Sequence, residues 1–292
     1  MPSLIDMRRR IRSVRNTQQI TKAMKMVSAA KLRRAQDKAI AARPYAAMLR
    51  QILANVAEAA AQSPDSGDNA LLAVRPEKRI LMLVISADRG LAGGFNGNLL
   101  RMALRFAQTH SSEELTFELA GKKARDFFRK RNVRISGEYI DLFRTVKFED
   151  AERIADSIIE RYAKAEIDAV YLFVNEFKSV IAANLATTKL LPLEVPQQAS
   201  HGTGTGQTAD YIYEQSPGEI LATLLPRYIK TQIYRALLES AAAEHAARMT
   251  AMEAATKNAS EMIDKLTLTM NRVRQASITR EIIEIVSGAA AL

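Results

Sequence analysis

Apolar residues recur at helical spacing through both ends of the chain. Between 249 and 277, alternating steps of three and four residues select a mostly apolar series, which is the heptad pattern of a coiled coil. The same stepping between 7 and 42 selects a weaker series with polar residues in its middle. The two series are Met249, Met252, Thr256, Ala259, Ile263, Leu266, Met270, Val273 and Ser277, and Met7, Ile11, Val14, Gln18, Thr21, Lys25, Ser28, Leu32, Ala35, Ala39 and Ala42.

Glycine and proline separate these ends from the middle. With one exception every glycine lies between 67 and 218, and the 61 residues from 227 to 287 contain neither glycine nor proline. As one α-helix that stretch spans about 90 Å, which favours a protruding coil over two helices packed on a globular core. We therefore expect two antiparallel helices, at about 3–60 and 227–287. Pro226 either opens the second helix or kinks one that begins near Pro217.

The middle of the chain alternates apolar β-type runs with helical patterns. This order predicts an α/β domain with a mostly parallel, helix-flanked sheet beside the long antiparallel two-helix coiled coil from the N- and C-termini. The expected domains are 1–62, 76–210 and 211–292. The expected strands are 79–85, 115–120 and 169–175 with an extended partner at 179–191, and the expected helices are 98–110, 122–131 and 148–165.

The positive charge is concentrated at one end. The net charge of +10 resides entirely in residues 1–45, and the remaining residues are neutral in sum. Such a segment favours an acidic partner, which could be nucleic acid, anionic lipid or an acidic protein surface. Because no zinc finger, helix-turn-helix or aromatic stacking motif accompanies it, an acidic protein is the stronger candidate.

Composition limits the chemistry. The chain has no cysteine and three histidines that lie far apart, which excludes disulfides, iron–sulfur clusters and thiolate zinc sites and disfavours a histidine metal site. No apolar run reaches the roughly 18–20 residues needed to cross a bilayer. We therefore expect a soluble protein on the cytosolic side, without a cofactor or a metal.

Two short motifs invite a stronger interpretation. The segment Ser86–Asn96 (SADRGLAGGFN) follows a strand and precedes a helix, but its spacing fits neither the dinucleotide fingerprint nor the phosphate-binding loop. We expect Asp88, Arg89, Gly93 and Gly94 to shape a tight turn that binds no cofactor. The pair at 244–245 (Glu-His) lacks a second histidine, so a solvated helix face is expected there.

Several segments resemble one family. Arg10–Gln36 (RIRSVRNTQQITKAMKMVSAAKLRRAQ) is similar to the N-terminal helix of the gamma subunits of F-type, bacterial ATP synthases, and Ser86–Asn96 resembles their DRGL-x-GGFN segment. Ile278–Ala291 (ITREIIEIVSGAAA) is similar to their C-terminal signature, and the segments at 244–259 and 210–214 (DYIYE) also match. Ala92 departs from the pattern, since many members carry cysteine there.

The resemblance implies a function. It implies a central rotor shaft that couples proton-driven c-ring rotation to the catalytic cycle of a hexameric ring of alpha and beta subunits, with the epsilon subunit as a further partner. The shaft itself performs no bond chemistry. The implied location is peripheral, on the cytoplasmic face of the bacterial inner membrane, with membrane association only through partners and no nucleic acid bound.

The resemblance also implies contact residues. Torque contacts with a beta subunit are implied for Met24, Lys25, Arg274, Gln275, Thr279 and Glu281, with Met24 facing the others from the opposite helix. Contacts with the c-ring are implied for Tyr211 and Glu214. An apolar bearing tip is expected at Ile282, Ile283, Ile285 and Val286.

Two other classes of protein stay open at this point. The basic end alone would suit a coiled-coil protein associated with nucleic acid. The glycine-rich segment alone would suit a nucleotide-binding enzyme. Salt-sensitive duplex binding would favour the first, and calorimetric titration with nucleotides tests the second.

Overall fold

The structure is a computed structural model that describes residues 3–62, 69–180, 183–193 and 215–290. The chain divides into two compact units, Met1–Ala30 with Arg248–Leu292, and Lys31–Ala247. The helices are α1 (Leu4–Gln62), α2 (Phe95–Thr109), α3 (Lys122–Arg129), α4 (Phe148–Ala163) and α5 (Pro217–Ala290), with one 3₁₀ turn at Leu142–Arg144. The strands are β1 (Arg79–Ile85), β2 (Glu114–Ala120), β3 (Ile135–Tyr139), β4 (Ala169–Phe177) and β5 (Ala183–Leu191).

Two long helices carry the ends of the chain, as the sequence predicts. Helix α1 has 59 residues and α5 has 74. Helix α5 begins at Pro217, ahead of the predicted start near 227, and continues through Pro226. A proline suits the first turn of a helix because its missing N–H would have no partner there. Pro226 is therefore inside α5 and does not open it.

The first unit contains an antiparallel helix pair. The hydroxyls of Thr21 and Thr256 lie 2.8 Å apart, and Lys25 Nζ lies 2.6 Å from Glu253 Oε1. From the first contact to the second, the residue number rises on α1 from 21 to 25 and falls on α5 from 256 to 253. The two helices therefore run in opposite directions. The predicted heptad positions of both helices are buried or half-buried, which confirms the seam.

The second unit is built on a five-stranded sheet with the order β3-β2-β1-β4-β5. Strands β3, β2, β1 and β4 are parallel, and β5 pairs antiparallel with β4. This confirms the mostly parallel, helix-flanked sheet. The sequence prediction missed β3, whose segment ISGEY alternates polar and apolar residues and has a glycine at its centre. As an edge strand β3 is only partly buried, so it lacks the apolar run that marks β1.

The two faces of β1 belong to two different cores. Leu81, Leu83 and Ile85 pack in one core with α4 and with parts of α1 and α5. Ile80 and Met82 pack in the other core with α2 and α3. A strand covered on both faces needs side chains that are apolar throughout, which explains the continuous RILMLVI run.

Several charged residues are buried in the second unit, and Glu118 is the most deeply buried of them. Glu118 of β2 is fully buried, and its carboxylate accepts hydrogen bonds from Ser157 Oγ at 3.1 Å and from the Tyr139 hydroxyl at 3.3 Å. Arg161 Nη1 lies 3.6 Å from the same carboxylate. Burial raises the pKa of Glu118, and these partners offset only part of the rise. Burial and the neighbouring Glu118 charge also raise the pKa of Tyr139 to about 12.

This burial predicts a pH dependence of stability. A carboxyl whose pKa is raised by folding binds its proton more tightly in the folded chain than in the unfolded chain. The free energy of unfolding therefore falls as pH rises from the ordinary Glu pKa of about 4.3 through the higher folded value. In denaturant titrations of the full chain at a series of pH values, Glu118→Gln should remove this fall.

Glu138 provides a matched control for this measurement. It lies on the neighbouring strand β3 and pairs with Arg129 at 2.6 Å near the surface. Glu138→Gln should retain the decline that Glu118→Gln removes. If the difference in unfolding free energy between wild type and Glu118→Gln is constant across this pH range, the carboxyl of Glu118 does not titrate as described.

Candidate functional site

The first candidate surface is the polar stretch near the end of α5. Arg274, Gln275, Thr279 and Glu281 are all exposed. The Thr279 hydroxyl donates to the Gln275 carbonyl at 2.9 Å, and the Ser277 hydroxyl donates to Glu281 Oε1 at 3.2 Å. These bonds stay within α5, so the outward polar groups can exchange water for a partner at little cost.

The helix register separates Met24 from this stretch. Thr21 lies opposite Thr256 and Lys25 lies opposite Glu253, so Met24 lies beside the region around 254. Arg274 is about 20 residues further along α5, or roughly 30 Å at 1.5 Å per residue. The expectation that Met24 faces these polar residues is therefore wrong. The candidate contacts occupy two separate levels of the helix pair.

Lys25 has a partner that the sequence did not indicate. Its ammonium pairs with the Glu253 carboxylate at 2.6 Å, and both side chains remain partly exposed. Lys25 and Glu253 are 228 positions apart in the sequence. This pair could have been predicted only from the register of the two helices. An exposed ion pair of this kind contributes about 0–1 kcal/mol, so Lys25 can leave Glu253 for another carboxylate.

The end of α5 has no helix beside it within the described residues. By the same register, Leu4 at the start of α1 lies opposite the region around 273. The apolar residues beyond this point are exposed, with Ile285 at 71%. The predicted tip is Ile282, Ile283, Ile285 and Val286, and the structure leaves all four exposed. An apolar end of this size is typical of a surface that a partner covers.

The glycine-rich segment forms a tightly bonded turn. The Asp88 carboxylate accepts backbone N–H bonds from Lys122 at 3.0 Å, Asp141 at 3.1 Å and Phe143 at 3.4 Å. Gly93 has a φ of 54°, a conformation that glycine adopts without strain. Asp88 therefore ties together the loops that follow three parallel strands, β1, β2 and β3, which agrees with a turn-shaping role.

Helix α5 packs where this topology would otherwise leave a crevice. In doubly wound sheets, ligands bind at the carboxyl ends of the strands where the strand order reverses, here between β1 and β4. At this point Ala87, Ala92 and Phe95 pack against Ala243 of α5. The Ser240 hydroxyl lies 3.5 Å from the Ile85 carbonyl. Side chains of the protein thus occupy the position that a nucleotide takes in related topologies.

The same packing overturns one expectation. Glu244 and His245 do not lie on a solvated face, because they are only 3% and 7% exposed. His245 Nδ1 lies 4.0 Å from Glu244 Oε2. The sequence was misleading here because a charged Glu-His pair is normally solvated, whereas this part of α5 is covered by its own unit.

Two predicted contact residues lie outside the described part of the chain, Tyr211 and Glu214. Within the described residues no cluster of three or more His, Cys, Asp or Glu could hold a metal ion. In the same residues no helix combines the length and apolarity needed to cross a membrane.

The fold and these surfaces define a class of protein. Its members combine an antiparallel pair of long helices, with exposed polar and apolar residues, with an α/β domain. The ATP synthase family model matches residues 3–292. The chain is 62% identical to the ATP synthase gamma chain of Solibacter usitatus, over 100% of this chain and 99% of that protein. It is 50% identical to the gamma chain of Pelotomaculum thermopropionicum, over 100% of both. The chain belongs to the family of ATP synthase gamma chains.

A solved structure shows the same fold. The central stalk and c-ring structure of the Tetrahymena thermophila mitochondrial ATP synthase contains a chain that matches with a TM-score of 0.62 and 23% identity. The match covers 81% of this chain and 99% of that one. At this identity the likeness concerns the fold.

The Asp88 contacts predict a stability effect. Asp88→Ala leaves three backbone N–H groups without their acceptor, and we expect a loss of about 1–3 kcal/mol in the free energy of unfolding. Arg89→Ala is the matched control, because Arg89 is the exposed neighbour in the same turn. Denaturant unfolding of both variants measures the difference. Equal stability of the two variants would show that the Asp88 carboxylate does not hold the turn.

Proposed function

We infer that this chain is the central rotor shaft of an F-type ATP synthase and carries no catalytic site of its own. Proton flow turns the c-ring, the shaft turns with it, and the asymmetric shaft changes the nucleotide affinities of the surrounding catalytic sites. The observation that supports this most is the antiparallel helix pair of the first unit, in which the apolar end of α5 is exposed within the described chain.

The partners follow from this role. The helix pair would lie within the hexameric ring of alpha and beta subunits, and the sheet domain would bind the epsilon subunit and the c-ring. The chain would be a peripheral protein on the cytoplasmic face of the bacterial inner membrane, held there by its partners. The packed crevice between β1 and β4 supports a non-catalytic role, since α5 occupies the usual ligand position.

The polar contacts suit a part that turns. A rotor needs contacts that form and break many times, and exposed charge-assisted hydrogen bonds exchange with water at little net free energy. Arg274, Gln275, Thr279 and Glu281 offer such groups at one level, and Lys25 offers one at the other. The apolar tip beyond them suits rotation inside an apolar collar, where no directional bond resists turning.

Met24→Lys tests the level around Lys25. The new ammonium would stand next to Lys25 and Glu253, and it would add an ion pair with acidic groups of a beta subunit. An extra pair of about 1 kcal/mol that stabilises one rotational state slows the cycle about fivefold. ATP-driven proton pumping relative to hydrolysis in assembled complexes should fall. Met48→Lys, the same change at an exposed α1 position in the other unit, is the control.

Gln275→Leu and Thr279→Val test the other level. Each removes a polar group from the exposed face of α5 while keeping its approximate size. We expect weaker coupling in the same pumping assay, because a lost polar contact lowers the torque transmitted at this level. If Met24→Lys, Gln275→Leu and Thr279→Val all keep the wild-type pumping ratio and hydrolysis rate, the assignment of torque contacts is wrong.

The c-ring contact is a separate proposal. By family resemblance, Tyr211 and Glu214 meet the polar loops of the c-ring. Replacing both with Ala should weaken c-ring attachment and lower proton-coupled synthesis, while the detached catalytic part continues to hydrolyse ATP. Synthesis and hydrolysis are measured in the same membrane preparation. Unchanged synthesis would remove both residues from the contact surface.

A further inference from the structure

A cavity of about 260 Å³ lies in the second unit, and Lys25 and residues 274–281 do not line it. Three elements form its wall, namely α1, the 3₁₀ turn at Leu142–Arg144 and α5. Its lining includes the apolar residues Phe143 and Leu238, which are buried in the main core. The cavity therefore borders the hydrophobic core of this unit.

Four of the residues that line the cavity are lysines or arginines. Lys31, Arg34 and Lys38 follow one another at spacings of three and four residues, which places them on one face of α1. Arg144 approaches from the 3₁₀ turn. Thr145 and His245 also line the cavity. Among the described residues that line it, none carries a carboxylate.

These cations have no partners in the described part of the chain. Lys31, Arg34, Lys38 and Arg144 make no ion pair there, whereas Lys25 on the same helix pairs with Glu253. Four like charges around one small space repel one another, and an anion in that space would convert the repulsion into attraction. The arrangement therefore supplies charge and hydrogen-bond donors in excess of what the fold itself uses.

The size and the donor types indicate the class of anion. The volume lies below the roughly 300–1,000 Å³ of pockets for drug-sized ligands, so the ligand has few atoms. Arginine guanidinium groups match phosphate oxygens in a two-pronged geometry, and lysines add point charge. A peptide carboxylate would bring one charge per side chain and would need its backbone to enter the cavity, so a compact polyanion fits better.

We propose that this cavity binds a compact phosphate-class anion, such as diphosphate or the terminal phosphates of a nucleotide. Bound there, the anion contacts α1, the 3₁₀ turn and α5 and stabilises the second unit by RT ln(1 + [L]/Kd), where [L] is the concentration of the free anion. The site differs from the glycine-rich turn, whose residues do not line the cavity. The proposal does not depend on the rotor function.

The test is calorimetric titration of the full chain with sodium diphosphate, with inorganic phosphate and ATP as parallel ligands. We expect one saturable site with a dissociation constant of about 0.1–1 mM, which lies in the range of weak specific binding. Arg34→Gln with Arg144→Gln should weaken binding at least tenfold. Arg8→Gln with Arg9→Gln, the same charge change on exposed residues of the other unit, should leave it within twofold.

The three ligands distinguish the source of the phosphate. Equal affinity for diphosphate and ATP would identify the phosphate group alone as the ligand, and tighter binding of ATP at the same site would identify a nucleotide. If the double variant does not fold, the single variant Lys38→Gln tests the same site, because Lys38 is an exposed residue of α1. It should weaken binding severalfold.

Three results would overturn the proposal. The first is the absence of saturable heat when diphosphate is added to wild type. The second is equal weakening of binding by the control pair and the cavity pair, which would indicate diffuse attraction by a basic chain. The third is an oligoglutamate peptide that binds more tightly than diphosphate and loses its affinity in the cavity variants, which would make the cavity a docking surface for an acidic protein.

Discussion

The antiparallel register of α1 and α5 determines what the first unit can present to its surroundings. The part-buried hydroxyl pair Thr21–Thr256 specifies it, and the more exposed ion pair Lys25–Glu253 agrees with the same alignment. An apolar seam alone tolerates slippage by a heptad, whereas a polar pair inside the seam is satisfied in only one alignment. The polar middle of the N-terminal heptad series, which weakens it as a sequence signal, is thus the part that specifies the alignment. Ser28, only 3% exposed, belongs to the same stretch.

The register also explains why the end of α5 is exposed. Since α1 starts opposite the region around 273, the residues beyond it lack a neighbouring helix within the described chain. An isolated helix with exposed Ile and Val residues is costly in water unless a partner covers it. Retaining such an end makes sense for a subunit that works only inside an assembly. The exposure of this end thus follows from the offset between the helix starts.

Some features could be predicted from the sequence because they depend on local pattern. The RILMLVI run reports a strand covered on both faces, and the long stretch free of glycine and proline reports a long helix. Other features depend on tertiary packing that no local pattern contains. Strand β3 is short and half-exposed, the start of α5 at Pro217 lies beside residues that resemble a turn, and Glu244 is buried only because its own unit covers it. The prediction that Met24 faces Arg274–Glu281 was wrong for the same reason, because the register of the two helices decides which residues face each other.

The excess positive charge of the first 45 residues has more than one destination in the fold. Lys25 is neutralised by Glu253 within the helix pair. Lys31, Arg34 and Lys38, a few residues further along α1, instead line a cavity of the other unit without a carboxylate partner among the described residues. A sum of +10 therefore does not describe a single basic patch for a single acidic partner. The Asp88 carboxylate accepts hydrogen bonds from the backbone of Asp141 and Phe143, and it thereby holds the turn that carries Arg144. Asp88 therefore shapes the cavity although it does not line it.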